Sequence, residues 1–239
     1  MGQGWIFNLA KKYKLMVEET EEINICNELL GKLSPDSLTT DISNYYSLHE
    51  HGRNLIRSWF HKAWRNRDCA PPDSFEPFIY AWLGFNAWGS CVTTEDQDRK
   101  WVAALMKCPE LNEYFDESLL NGSSELSKAA KEFHSTWPIF KAQKIRRGLL
   151  NNAPRERGDR INYYFQNGIN DFSPKCWQRH MQEDGSISLD WPHTLSAIYR
   201  IRCNLFHGEK TLHSDNDVIL VSLAFRVLVN MIPRLEPHL

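Results

Sequence analysis

Trp191-Pro192-His193-Thr194-Leu195-Ser196-Ala197-Ile198-Tyr199-Arg200-Ile201-Arg202-Cys203-Asn204-Leu205-Phe206-His207-Gly208 reads as one complete helix. Proline is at home in a first helical turn, where its missing N–H has no intrahelical acceptor to lose. Leu195, Ile198, Tyr199, Leu205 and Phe206 recur at helical spacing, and Gly208 is the residue type on which helices commonly close. Just beyond, Ser214-x-x-Asp217 has the form of a capping box, and residues 218–232 are apolar on nearly every side. A helix without a polar face must be buried in a bundle or at a subunit interface. Two consecutive helices of this kind point to an all-α fold.

The rest of the chain reads the same way. Residues 5–31 carry apolar positions at broadly helical spacing, and Ser34-Pro35 looks like a cap followed by a first-turn proline. A second helical region is expected over residues 37–67, with Ile42, Tyr45, Leu55, Ile56, Trp59, Phe60 and Trp64 as its apolar positions. Cys69-Ala70-Pro71-Pro72 interrupts it and marks an internal boundary. The expected organisation is therefore an N-terminal helical extension, residues 1–70, packed on a helical domain, residues 71–239. Further helices are expected over residues 75–91 and 95–107, from Pro109 to near Asn121-Gly122, and after Ser123. Residues 137–190, with Pro138, Pro154, Gly158, Gly168, Pro174 and Gly185, are the least regular, and residues 186–189 alternate as a short strand would.

The composition narrows the function classes. Nine Trp and twelve Phe among 239 residues can build a large core, and the net charge is −2. A protein that coats nucleic acid without regard to sequence is usually strongly basic, so that class is disfavoured. The local exception runs from Lys141 to Arg160, where Lys141, Lys144, Arg146, Arg147, Arg155, Arg157 and Arg160 face only Glu156 and Asp159; it reads as a solvated loop and helix face. Six cysteines at 26, 69, 91, 108, 176 and 203 form no C-x-x-C pair, which argues against a zinc site and for buried thiols in a reducing compartment. The first residues lack the charged and apolar regions of a signal peptide, so a cytoplasmic protein without a membrane anchor is expected.

Chemistry concentrates at the end of the helix from Trp191. At about 100° per residue Asn204 and His207 fall one turn apart on one side, and the long Arg202 side chain can reach across from the flank. A guanidinium holds phosphate in bidentate fashion, and histidines take protons near neutral pH. His207 stands in the last turn, where the helix macrodipole favours a cation. An arginine and a histidine placed in this way can act together on a phosphodiester. His at a helix end is also an ordinary capping device.

The wider sequence resembles a known family. Ile198-Tyr199-Arg200-Ile201-Arg202-Cys203-Asn204-Leu205-Phe206-His207-Gly208 is similar to the signature of HEPN domains, an Arg, four to six residues, then a His; Arg202 and His207 match with four between them. Residues 215–217 and the apolar helix after them resemble the last helix of that fold, and residues 75–88, Phe-Glu-Pro-Phe-Ile-Tyr-Ala-Trp-Leu-Gly-Phe-Asn-Ala-Trp, resemble an upstream helix. The resemblance implies a HEPN-like bundle, here with additional N-terminal helices. It also implies a homodimer whose two motifs face each other, and metal-independent cleavage of RNA. His207 would take the 2′-hydroxyl proton, and Arg202 would hold the phosphate, leaving a 2′,3′-cyclic phosphate. Such enzymes serve as toxins or phage-defence effectors beside an antitoxin or sensor protein. In active members the residue after the Arg is often polar; here it is Cys203, with Asn204 next, so Asn204 is assigned that role. The alternative is a noncatalytic dimerisation module binding a partner protein or nucleotide.

Asn86, polar within the apolar helix, either supports the Arg/His pair or is a satisfied core amide. Arg200 and Lys210 flank the motif and are candidates for contacts to the RNA backbone. His49, Glu50, His51 and His61 lack the i, i+4 spacing of a helical metal pair and read as surface residues, and Trp59, Trp64, Trp82 and Trp88 as core.

Overall fold

The computed structural model describes residues 39–146, 152–183, 185–208, 210, 212 and 214–237. The helix expected over residues 5–31 and the Ser34-Pro35 cap lie outside them, as do Arg147 and the side chains of Lys144 and Arg146. The fold is all-α. In chain order the helices are α1 (Ser43–Ser47), α2 (Glu50–Arg65), α3 (Phe75–Thr93), α4 (Asp98–Met106), α5 (Pro109–Leu120), α6 (Glu125–His134), α7 (Ala142–Arg146), α8 (Arg157–Gln166), α9 (Trp177–Glu183), α10 (Trp191–Phe206) and α11 (Asp215–Leu235). Two short strands, β1 (Ile139–Phe140) and β2 (Phe172–Ser173), pair antiparallel.

Helix α3 runs through the centre, packed by α2, α4 and α11. Its approach to α2 depends on Gly84. A Cβ added there would lie 2.5 Å from Cδ1 of Phe60, which is fully buried. Gly84→Ala is therefore expected to destabilise the protein by about 1–3 kcal/mol, the usual cost of overpacking, read from the urea midpoint at constant m-value. On the α4 side Gly89 does the same against Trp101, 2.7 Å from its Cε3. The core is aromatic. Phe85 meets Trp101 and Trp191 edge-on at 5.6 and 6.3 Å, and Trp191 Nε1 donates to the Leu105 carbonyl at 2.9 Å. Trp59 stacks on Tyr80.

The apolar helix near the C-terminus is a core helix. By length and composition Asp215–Leu235 could cross a membrane, yet 72% of that stretch is buried, against α3 and α6. Its start is the one expected, with Ser214 Oγ accepting from the Asp217 N–H at 3.3 Å.

Two sequence expectations fail locally. The region over residues 37–67 is two helices, not one. The chain extends at His49, whose Nδ1 accepts from the His51 N–H and caps α2. Residues 186–189 form no strand. Ile187 is buried there, and its carbonyl meets His134 Nε2 at 2.9 Å, a side-chain tie in place of a ladder. The strands that do form join the irregular region to itself, in register Ile139 with Ser173 and Phe140 with Phe172.

Candidate functional site

The site is built at the C-terminal end of α10. Asp190 caps its start, accepting from the His193 N–H at 2.9 Å. Its other end closes as the sequence indicates. His207 is the C-cap, its N–H donating to the Cys203 carbonyl at 3.1 Å, and Gly208 takes a φ of +69°. A non-glycine residue at Gly208 would be strained in that left-handed conformation. His207 is exposed.

Arg202 is held from several sides. Its Nη2 lies 2.7 Å from Oδ2 of Asp98, the first residue of α4. The guanidinium carbon sits 5.5 Å from the ring centroid of Trp82, 6.0 Å from Tyr199 and 4.8 Å from Phe206, within cation–π range of all three. The contact with Phe206 places the guanidinium along the last turn of α10, the turn that His207 closes. The Arg202 side chain is 21% exposed and Asp98 31%, so both can be reached from solvent. Nε of Arg202 is buried with no hydrogen-bond partner among the described residues. Beneath the pair, burial together with the Cys203 and Asp98 charges pushes the Tyr199 phenol up to about 12.

Asn204 has a different job from the one assigned to it. It is buried, its Nδ2 donates to the Phe140 carbonyl at 2.9 Å, and its Oδ1 accepts from the Ala142 N–H at 3.1 Å. With both ends of the amide engaged by backbone, it pins β1 and α7 to α10 and presents nothing beside His207. Lys210 is likewise turned inward. Its Nζ lies 2.6 Å from Oδ1 of Asp217, and only 5% of its side chain is exposed, which removes it as a contact to an RNA backbone. Arg200 donates to Asp171 at 2.7 Å, so any phosphate contact would compete with that carboxylate. Asn86 lies one turn beyond Trp82 on α3. Its Oδ1 is buried without a partner among the described residues, so it is not a fully satisfied core amide.

Asp98 is the residue the sequence did not disclose. It is distant in the chain from Arg202, and nothing local to Glu95-Asp96-Gln97-Asp98 separates a guanidinium partner from a solvated acidic turn. A second unforeseen cluster is Cys176, His193 and Asp190. His193 Nε2 lies 3.0 Å from Cys176 Sγ, and His193 Nδ1 lies 2.7 Å from Asp190 Oδ2. The order matches that of a thiol relay, but Cys176 and His193 are 3% and 6% exposed. Burial pulls the His193 imidazole down, and its hydrogen bonds to Asp190 and Cys176 more than offset this, raising it to about 10. Between the ordinary histidine range and pH 10 the folded chain then holds a proton that the unfolded chain has released. This stabilisation is complete below about pH 6.5 and is lost as pH rises towards 10. Urea midpoints taken from pH 6 to pH 10 should fall, and the fall should be smaller in His193→Gln.

Among the described residues no group of three or more His, Cys, Asp or Glu is gathered as a metal site. No family model matches the chain, and neither a curated protein nor a solved structure matches it.

Proposed function

We propose that the chain is a HEPN-like, metal-independent endoribonuclease of the cytoplasm, acting as a homodimer in a toxin or phage-defence setting. The observation that carries this reading is the guanidinium of Arg202, held over the ring of Phe206, the residue before the exposed His207 that ends the helix. In this reading His207 takes the proton from the ribose 2′-hydroxyl, and the freed oxygen attacks the adjacent phosphorus. Arg202 stabilises the charge that develops on the phosphoryl oxygens. The P–O5′ bond breaks, the 5′-oxygen leaves as a hydroxyl with a proton returned by His207 directly or through water, and a 2′,3′-cyclic phosphate remains on the other fragment. Asp98 acts as a positioning residue, holding the guanidinium in place before substrate arrives. The guanidinium has five N–H donors and its side chain is 21% exposed, so a phosphate can be added to the Asp98 contact from the solvent side.

A second reading is favoured by a specific observation. Asn204 is spent on backbone and Arg202 is already paired, as in a noncatalytic module whose motif serves assembly. The two separate on substrate chemistry. Varied single-stranded RNAs are incubated with the protein in EDTA, beside matched strands carrying 2′-deoxyribose. Cleavage of RNA with the deoxy strands intact supports the nuclease; no cleavage of any strand supports the module.

A further inference from the structure

A cavity of about 680 Å³ opens between β1, α7, α8 and the start of α11. Its volume lies within the range of small-molecule sites. The basic stretch that reads as a solvated face reaches this cavity at three positions, Arg155, Arg157 and Arg160. Their arrangement is tied together. Arg160 donates to the Arg155 carbonyl at 3.2 Å, and Arg157 turns its guanidinium to the Trp137 carbonyl. No carboxylate pairs with any of the three among the described residues. The acid in the lining, Asp217, is engaged by Lys210. Burial and the nearby Arg160 charge hold the Arg157 guanidinium below its ordinary range, as expected for clustered cations with no anion among them. The lining is also aromatic: Tyr164, one turn beyond Arg160 on α8, meets Phe140 of β1 edge-on at 5.1 Å.

Three arginines and two aromatic rings lining one cavity suit a ligand that carries both a phosphate and a flat ring. The cavity is also joined to the motif helix. Asn204 hydrogen-bonds to the backbone of Phe140 and Ala142, both of which line it. We propose that this cavity binds a nucleotide, its phosphate on Arg155, Arg157 and Arg160 and its base against Phe140 and Tyr164. The nucleotide is either free or one unit of an RNA strand, and the site does not depend on the cleavage reading.

The test uses the full chain and isothermal titration with adenosine 5′-monophosphate, adenosine and inorganic phosphate. The monophosphate should bind, and adenosine at least ~tenfold more weakly, since charge-assisted bonds to phosphate are lost. The double variant Arg155→Glu, Arg160→Glu should also lose at least ~tenfold in affinity for the monophosphate while keeping its melting temperature. Should that variant fail to fold, Arg160→Gln alone gives the same comparison. His207→Ala, outside the cavity, should bind as the parent does. Two results overturn the proposal: no binding of the monophosphate by the parent, or equal binding by parent and folded charge-changed variant. Adenosine binding as tightly as its monophosphate would overturn the phosphate assignment too. With His207→Ala as host, a short single-stranded RNA that displaces the monophosphate identifies a strand unit as the ligand. A monophosphate that holds against the RNA identifies a free nucleotide, and either result supports the site.

Discussion

Arg202→Lys is expected to lower RNA cleavage by about 10²-fold, the scale of losing one well-placed donor to a developing anion, while the melting temperature changes little. The reason lies in what lysine keeps and what it gives up. It keeps a positive charge that can still reach Asp98, now 2.7 Å from Nη2 of Arg202. It gives up the planar fork that can hold Asp98 and a phosphate together, and the flat face that lies over Trp82, Tyr199 and Phe206. Arg202→Ala would be a poorer test, because it leaves Asp98 unpaired and strips three rings of their cover, mixing stability with chemistry. Asp98→Asn completes the comparison. If Asp98 only positions the guanidinium, the variant should lose part of the rate, and added Arg202→Lys should cost less than it does alone. A variant pair with parental cleavage rates and lowered melting temperatures would mean that Arg202 is structural.

Glu236→Ala is expected to destabilise the fold by about 1–3 kcal/mol, the usual cost of leaving a buried partner, here the Tyr45 hydroxyl, without its hydrogen bond; the Arg57 side chain, 34% exposed, can turn to water. The Glu236 side chain is fully buried just beyond α11. It accepts from the Tyr45 hydroxyl, and from Nε and Nη2 of Arg57 at 3.1 and 3.2 Å. One carboxylate thus ties α1 and α2 to the end of α11. Burial, and then the bond to Glu236, pushes the Tyr45 phenol well above its ordinary range. Removing the carboxylate leaves a buried hydroxyl facing a void. Glu236→Gln, which still accepts one hydrogen bond, should cost less. Equilibrium urea unfolding of the three proteins gives the order, and equal midpoints would mean that the cluster contributes nothing net.

The parts of this fold legible in the sequence are those with local signals. Helices α3, α10 and α11 announce themselves by apolar periodicity, by the Ser214 cap and by Gly208 at φ +69°. The end of α10 could be placed for the same reason, and with it Arg202 and His207. What a single residue does with its side chain depends on partners remote in the chain, and there the reading fails. Asn204 lies on the same side as His207 by helical spacing, yet β1 and α7 dock on that side and take its amide. Lys210 looks like an exposed cation after a turn, but the start of α11 supplies Asp217 and encloses it. Asp98 carries no mark of its contact with Arg202. The Arg155–Arg160 run reads as solvated because its period shows an exposed helix face; that three of its guanidinium groups share a cavity depends on β1 and α11 closing over them.

The most direct measurement places the parent and His207→Ala side by side on 5′-labelled RNA in EDTA, with the new 3′ ends identified by mass spectrometry. The parent should produce fragments ending in 2′,3′-cyclic phosphate, and the variant should be slower by about 10²–10⁴-fold, the contribution of a general base. Equal cleavage by both proteins, or 3′-hydroxyl ends in place of the cyclic phosphate, would contradict an Arg202–His207 ribonuclease.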